Sequence, residues 1–395
     1  MSKSDCIELV EYTPAYLPKD RIAEETVTYI WQEYREQIKI ISPSVINNHQ
    51  WELISQGWVG YLPITKEFGI SLLSKVPIEN LFGMLEYAYR LKGFRVLEGL
   101  TTCGSLQEFY ERIAHLLALR VLTRAKKGYY REYVDYSETL HAVRGRLNLT
   151  KMLTSPNRAS FPCEYQEHLA DIKDNQIILW TLHRIIRSGL CSERVLPTVR
   201  KAYRSLQGHA SLCQCTASEC LRRQYNRLNQ DYEPIHGLCR FFLDQCGPKH
   251  EAGTHVMLPF LVDMARLFEL FVSEWLQVYL PSRYELKSQE RLQFGDAGDL
   301  RFTIDLVLYD REKRKTICVL DTKYKTDRTP AAADVHQVIA YAVAAGCQEA
   351  ILLYPADEIQ SFDQQVRDIR VRSLAFSIKG DLEAAGKAVL QEIIG

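Results

Sequence analysis

Leu300-Arg301-Phe302-Thr303-Ile304-Asp305-Leu306-Val307-Leu308 and Cys318-Val319-Leu320-Asp321-Thr322-Lys323-Tyr324 decide how the carboxy-terminal part folds. In the first run the even positions are apolar, and Asp305 is odd, with Thr303 and Val307. In the second, Asp321 and Lys323 are two apart, which in a strand puts both on one face. The polar stretch around Asp310 to Lys315 reads as a hairpin turn. The two strands then lie side by side, with two carboxylates and one ammonium sharing a small patch. Charges in otherwise apolar strands are costly without a partner. A divalent metal supplies one, and Mg²⁺ takes a few carboxylates with waters. Such a metal acidifies a water, while a nearby Lys positions the nucleophile or stabilises the transition state. The plainer alternative is a surface hairpin whose Lys–Asp pair contributes little.

Two further residues stand beside this pattern. Glu269, in Leu267-Phe268-Glu269-Leu270-Phe271, sits on a largely apolar helix face. Its carboxylate either snorkels to solvent or joins the metal patch as an outer ligand. Gln337 and Tyr341 are four apart on a predicted helix and share one face, where Gln337 could orient a water or a phosphate. The alternative is an ordinary exposed helix face.

Around this core the spacing predicts a helix from Val256 to Leu280, strands at Arg301–Tyr309 and Lys315–Tyr324, and a helix at Asp334–Ala345. A strand at Ala350–Tyr354, another over Asp368–Ile378 and a closing helix at Leu382–Ile394 follow. That order is an α/β layout with the sheet covered on its faces. The first hundred residues are strand-rich, with Ile7–Tyr12, a strand pair over Trp51–Leu62 broken at Gly57 and Gly60, and a hairpin return at Gly69–Ser74. The middle is mostly helical, with stripes at Leu106–Leu122 and Asp174–Ser188. The expected division is a strand-rich and helical domain over 1–160 and a second domain over 161–395. The second has a helical lead-in, 161–250, and a catalytic core, 251–395.

With 49 Lys plus Arg against 49 Asp plus Glu, the formal net charge is zero, which argues against a protein that coats nucleic acid by bulk charge. A basic run of Arg200, Lys201, Arg204, Arg222, Arg223 and Arg227 reads equally as a phosphate track or a solvated helix face. No apolar run reaches the roughly 18 residues of a membrane span, and the start lacks a signal-peptide core. The 11 Cys are scattered, which suits reduced thiols and a cytoplasmic protein. Cys213, Cys215 and Cys220, with His209 and Cys239, lack the paired spacing of a usual zinc site. No Gly-x₄-Gly-Lys-Ser/Thr loop occurs, so the chain is not expected to bind or hydrolyse a nucleotide itself.

Asp305-Leu306-Val307-Leu308, then Val319-Leu320-Asp321-Thr322-Lys323-Tyr324-Lys325, then Asp334 with His336-Gln337 and Ala340-Tyr341-Ala342, resemble the PD-(D/E)XK nuclease core, and more specifically the McrC family of McrBC restriction systems. Phe260 to Val272 is similar to the helix that opens that core. Gly57-Trp58-Val59-Gly60, Asn80 to Ala88 and Arg144-Gly145-Arg146 also look like McrC. Ile304 stands where the general motif has Pro, and Cys191 to His250 carries no likeness.

The resemblance implies an α+β multidomain chain with a strand-rich N-terminal region, a helical middle and a C-terminal α/β restriction-endonuclease-like core. It implies Mg²⁺, or Mn²⁺, on Asp305 and Asp321, with Lys323 holding the attacking water or the scissile phosphate and Glu269 and Gln337 in support. Double-stranded, methylated DNA is the implied substrate. The implied partner is a McrB-type AAA+ GTPase hexamer, engaged through the amino-terminal part, where Trp51 and Trp58 are expected to be exposed. Other readings are a non-catalytic regulator of an AAA+ partner and a stand-alone repair or processing nuclease.

Overall fold

A computed structural model describes residues 5–64, 68–75, 78–89, 106–154, 160–245, 260–294, 300–325, 329–356 and 361–395. Contacts divide the chain into two units, Met1–Glu108 with Pro259–Gly395, and Phe109–Leu258. These boundaries fall elsewhere than the expected cut at 160, which lies inside the second unit.

The first unit begins with β1 (Asp5–Val10), β2 (Ala15–Leu17), α1 (Glu24–Tyr34), β3 (Ile38–Ile41), β4 (Trp51–Ser55), β5 (Trp58–Pro63), β6 (Phe68–Leu73) and α2 (Ile78–Ala88). β4 and β5 are both strands, as the sequence suggests, but they do not pair with each other. β4 is the centre of a β2-β4-β3 sheet, and β5 pairs with β6 in another. The chain changes sheet at Gly57, which has φ +78°, and a Cβ there would strike the Tyr12 hydroxyl. Leu9, Ile30, Ile38, Leu53, Leu62 and Ile70 are buried together in one core. Trp51 and Trp58 pack half-buried against that core, contrary to the expectation that they are exposed. Their indoles cover the seam of Leu and Ile side chains, and burial of that aromatic area is favourable. Trp31, Val45 and Ile46 are the most exposed of the large apolar side chains described in this stretch.

The second unit holds α3 (Leu106–Lys127), β7 (Glu132–Leu140), β8 (Arg146–Leu147), α4 (Leu149–Thr154), β9 (Phe161–Leu169), α5 (Lys173–Ser188), α6 (Leu196–Gln207), α7 (Ala217–Leu221) and α8 (Tyr232–Gln245). β9 pairs with β7 from Phe161↔Leu140 to Leu169↔Glu132, which keeps residues on both sides of 160 in one sheet. Most of β7 is exposed. Cross-strand stacks of Tyr133 on His168 and Tyr136 on Tyr165 brace the ribbon in place of a core. Cys215, Cys220 and Cys239 are buried, and burial pushes the Cys220 thiol up to about 12, so it stays protonated.

The chain then returns to the first unit with β10 (Phe260–Asp263), α9 (Met264–Tyr279), β11 (Tyr284–Phe294), β12 (Leu300–Asp310), β13 (Lys315–Thr322), α10 (Ala332–Ala345), β14 (Glu349–Tyr354), β15 (Asp363–Val366), β16 (Ile369–Ala375) and α11 (Leu382–Ile394). Part of the expected helix from Val256 is instead the strand β10, antiparallel to β5 and last in the order β1-β6-β5-β10. Asp263 ends it. Its carboxylate accepts hydrogen bonds from the backbone N–H groups of Ala265 and Arg266, an N-cap that starts α9 at Met264. The remaining strands form one sheet in the order β11-β12-β13-β14-β16-β15. β11, β12 and β13 run antiparallel, and β13, β14 and β16 are mutually parallel. α10 supplies the crossover between β13 and β14. No described helix is long and apolar enough to cross a membrane.

A pH response follows from α8. His236 is 1% exposed, between the Tyr225 hydroxyl, 2.8 Å from Nδ1, and the Asp174 carbonyl oxygen, 3.0 Å from Nε2. A carbonyl only accepts, so Nε2 carries the proton and Nδ1 accepts from Tyr225. Burial lowers the His236 pKa to about 4. An unfolded His binds its proton near pH 6.5, so between there and pH 4 the unfolded chain holds the extra proton and stability falls as pH falls. The loss is on the order of 3 kcal/mol. Thermal unfolding between pH 7 and 4 should show it, and His236→Gln should flatten the profile.

Candidate active site

β12 and β13 bring Asp305 and Asp321 together. Leu306 pairs with Leu320, and the two Asp residues lie one step beyond that pair on their strands. Asp305 reaches across to β13, where its Oδ2 accepts from the Thr322 backbone N–H at 3.1 Å and the Thr322 hydroxyl at 3.2 Å. Val307, on the same parity as Asp305, is fully buried, because helices cover this part of the sheet. Asp305 is half-buried rather than on a solvent face.

Asp321 is only 2% exposed. The Lys323 ammonium lies 2.7 Å from its Oδ2. Beyond that ion pair the buried oxygen has no hydrogen-bond partner among the described residues. Burial pushes the Asp321 pKa up to about 6, with Lys323 opposing and the charge of Asp305 adding. For Lys323 burial acts downward, but the carboxylates of Asp321, Asp334 and Asp305 more than offset it and hold the ammonium charged.

Gln337 and Tyr341 do share one face of α10, and that face meets Lys323. Lys323 Nζ donates to Gln337 Oε1 at 3.0 Å. An ammonium only donates, so the amide is oriented, and Gln337 Nε2 donates to the Tyr341 hydroxyl at 2.6 Å. Asp334 and Lys325, absent from the candidate set, join here. Asp334, one turn before Gln337, binds Lys325 at 2.8 and 2.9 Å and lies 3.9 Å from Lys323. Its i,i+3 spacing from Gln337 was the available signal.

Glu269 does not snorkel to solvent. Gln289 of β11 donates to its Oε1 at 2.5 Å and stands 3.4 Å from Asp305 Oδ1, so one amide bridges two carboxylates. Gln289 has φ +51°, a left-handed conformation uncommon for a non-glycine residue, and it sits between the pairs Ser288↔Leu306 and Glu290↔Ile304. That local irregularity in β11 aims the amide at the site. Burial raises the Glu269 pKa to about 7, with the charge of Asp305 adding and Gln289 opposing.

The donor set suits a divalent cation. It holds oxygens only, one of them a buried Asp321 oxygen with no hydrogen-bond partner among the described residues beyond the Lys323 ion pair, and its carboxylates disfavour one another's charge. Among the described residues no three His, Cys, Asp or Glu side chains stand at metal-ligand spacing. A cation would rest on Asp305 and Asp321 with waters completing the shell, as Mg²⁺ allows. Glu269 would lie beside it.

Comparison with known proteins gives a consistent picture. No curated protein matches. A refined half-complex from a tetradecameric assembly of Thermococcus gammatolerans McrB AAA+ hexamers with bound McrC aligns with 98% of this chain and 100% of its own matched chain, at TM-score 0.56 and 17% identity. A cryo-EM structure of the Thermococcus gammatolerans McrBC complex aligns with 70% of this chain and 88% of its own, at TM-score 0.45 and 19% identity. The first of these shows a shared fold. The McrBC family, described as the McrBC 5-methylcytosine restriction system component, matches residues 53–355, well over half of the 395. The chain belongs to that family.

Proposed function

We propose that this chain is the McrC-type nuclease subunit of a modification-dependent restriction complex, cutting methylated double-stranded DNA with Mg²⁺, or Mn²⁺, through a PD-(D/E)XK-type core. The observation that carries the reading is the meeting of Asp305, midway along β12, with Asp321 and Lys323 at the end of β13, in a sheet that runs antiparallel up to β13 and parallel from β13 through β14 to β16. Asp305 and Asp321 hold the cation. That cation supplies an acidified water and screens the phosphodiester charge. Lys323 holds the attacking water or a scissile-phosphate oxygen, and Gln337 fixes the direction of its ammonium. Glu269 supports the site through Gln289, which bridges it to Asp305.

The partner in this reading is a McrB-type AAA+ GTPase hexamer. The chain has no phosphate-cradling Gly-x₄-Gly-Lys-Ser/Thr sequence, so nucleotide turnover falls to another subunit. The similar solved assembly contains McrB AAA+ hexamers with bound McrC. We assign ring engagement to residues 1–160, which carry the exposed Trp31, Val45 and Ile46 and the exposed strand β7.

Three measurements test this. Asp321→Ala should lower Mg²⁺-dependent cleavage of 5-methylcytosine DNA, with the ring present, by about 100-fold or more, by analogy with losing one electrostatic contact to a transition state. Its melting temperature should not fall, because removing a buried carboxylate pressed by its neighbours relieves repulsion. Wild-type cleavage by that variant would remove the metal assignment. The purified chain alone should release no phosphate from GTP or ATP, and turnover that survives further purification would contradict the division of labour. Finally, the double variant Asp305→Ala with Asp321→Ala should still raise the ring's GTP hydrolysis while failing to cut.

A further inference from the structure

Glu11 is a buried carboxylate that the chemistry above does not use. It follows β1 directly and is fully buried. Its backbone N–H donates to the Leu73 carbonyl, extending the β1–β6 ladder without help from the side chain. The carboxylate Oε2 accepts from the Lys75 backbone N–H at 3.1 Å and from the Tyr324 hydroxyl at 3.2 Å. Oε1 is buried with no hydrogen-bond partner among the described residues. A half-satisfied buried carboxylate is expensive, and an apolar residue of similar size would serve the fold as well or better. Burial and the nearby Glu11 push the Tyr324 pKa far up, so the phenol keeps its proton and donates.

Tyr324 stands immediately after Lys323, where the chain leaves β13. The segment 323–325 has few backbone anchors. Lys323 N–H donates to Leu353 O at 2.9 Å, and Lys325 N–H turns back to Lys323 O at 3.0 Å. Alternate side chains are held on opposite sides. Lys323 and Lys325 reach Gln337 and Asp334 of α10, while Tyr324 reaches Glu11 and packs against Phe268, centroids 6.3 Å apart. Phe268 is fully buried and immediately precedes Glu269. The phenol therefore pins the backbone from the side opposite the ammonium.

We propose that Glu11 is a positioning residue that acts through the Tyr324 hydroxyl to hold Lys323 on the scissile phosphate or its attacking water, an inference that rests on the nuclease reading above. The amino-terminal sheet thereby contributes to the geometry of the site without touching substrate. Displacements of about 1 Å at a reacting group cost up to 100-fold in rate, so loss of one such tether is expected to lower kcat by about tenfold.

The test uses the full chain with its AAA+ ring, Mg²⁺ and a 5-methylcytosine duplex. Tyr324→Phe deletes a single oxygen. Glu11→Met removes the carboxylate and keeps the bulk. Each should lower kcat for cleavage about tenfold, with KM for DNA and the ring's GTP hydrolysis unchanged and the melting temperature no lower. The double variant should be no worse than the poorer single, because both remove one contact. In the metal-free chain, amide hydrogen exchange should quicken across residues 320–325 and stay unchanged in β14. A purely structural role would instead lower the melting temperature with kcat and quicken exchange throughout the sheet.

Should Glu11→Met fail to fold, Tyr324→Phe decides alone. Wild-type kcat in Tyr324→Phe, unchanged exchange at 320–325, or additive losses in the double variant would each overturn the proposal. Asp321→Ala in the same series separates the two levels. If that variant cuts at the wild-type rate, the nuclease reading falls and takes this inference with it. If it is dead while Tyr324→Phe cuts normally, only this inference falls.

Discussion

Asp321 and Lys323, two residues apart on one strand end, form an ion pair 2.7 Å long around a carboxylate that is 2% exposed. Taking both charges out of water costs several kcal/mol per ion, and their attraction repays it only with further hydrogen bonds. The surroundings are arranged accordingly. Gln337 accepts from the ammonium, Tyr341 fixes Gln337, and Asp334 sits close enough to add negative charge. Even so, the Asp321 carboxyl is pushed up to about 6, chiefly by burial, and beyond Lys323 its Oδ2 has no hydrogen-bond partner among the described residues. The compensation is incomplete, which is the chemical opening that a divalent cation would fill in the proposed reading.

The same constraint explains the second half of the site. Asp305 could have been neutralised by an Arg or a Lys. It is held instead by the neutral donors of Thr322 and Gln289. Neutral donors orient a carboxylate while leaving its charge in place. Gln289 serves Glu269 in the same way. A site meant only for stability would pair these carboxylates with cations. This one keeps negative charge gathered and aimed, the arrangement expected where charge is to be met by a ligand.

The carboxy-terminal strands and α10 were legible because their signals are local. β12 and β13 alternate in apolar runs around charged residues, α10 has a helical face, and β14 is a continuous apolar run. Asp305, Asp321 and Lys323 could be grouped because strand parity and a short hairpin decide their placement. β11 was not legible. Tyr284–Phe294 is largely polar, and its strand identity comes from pairing with β12 rather than from its own pattern. Gln289 was lost with it, and with Gln289 the reason for a carboxylate at Glu269. β10 was read as the start of a helix because Phe260-Leu261-Val262 is apolar under either reading, and only the distant β5 decides between them. Trp51 and Trp58 were misplaced for a related cause, since their cover comes from a core assembled out of several elements.

Those non-local pairings also change what a domain means here. β10 completes a sheet begun at β1, near the start of the chain, and continues through the Asp263 cap into α9, which carries Glu269. The Met264 backbone N–H donates to the Gly57 carbonyl, tying the first turn of α9 to the turn before β5. α9 also packs on α2 and on β13. A cut through the chain at 160 would leave β10 without β5 and α9 without α2, so its apolar face would open to water at a cost of roughly 25 cal/mol for each Å². The amino-terminal strands are therefore part of the frame that aims the site. β5 is joined through the β10 ladder and the Asp263 cap to the helix that presents Glu269. The strands β1, β5 and β6 and the helix that carries Glu269 thus belong to one hydrogen-bonded scaffold, joined at the sheet edge β10.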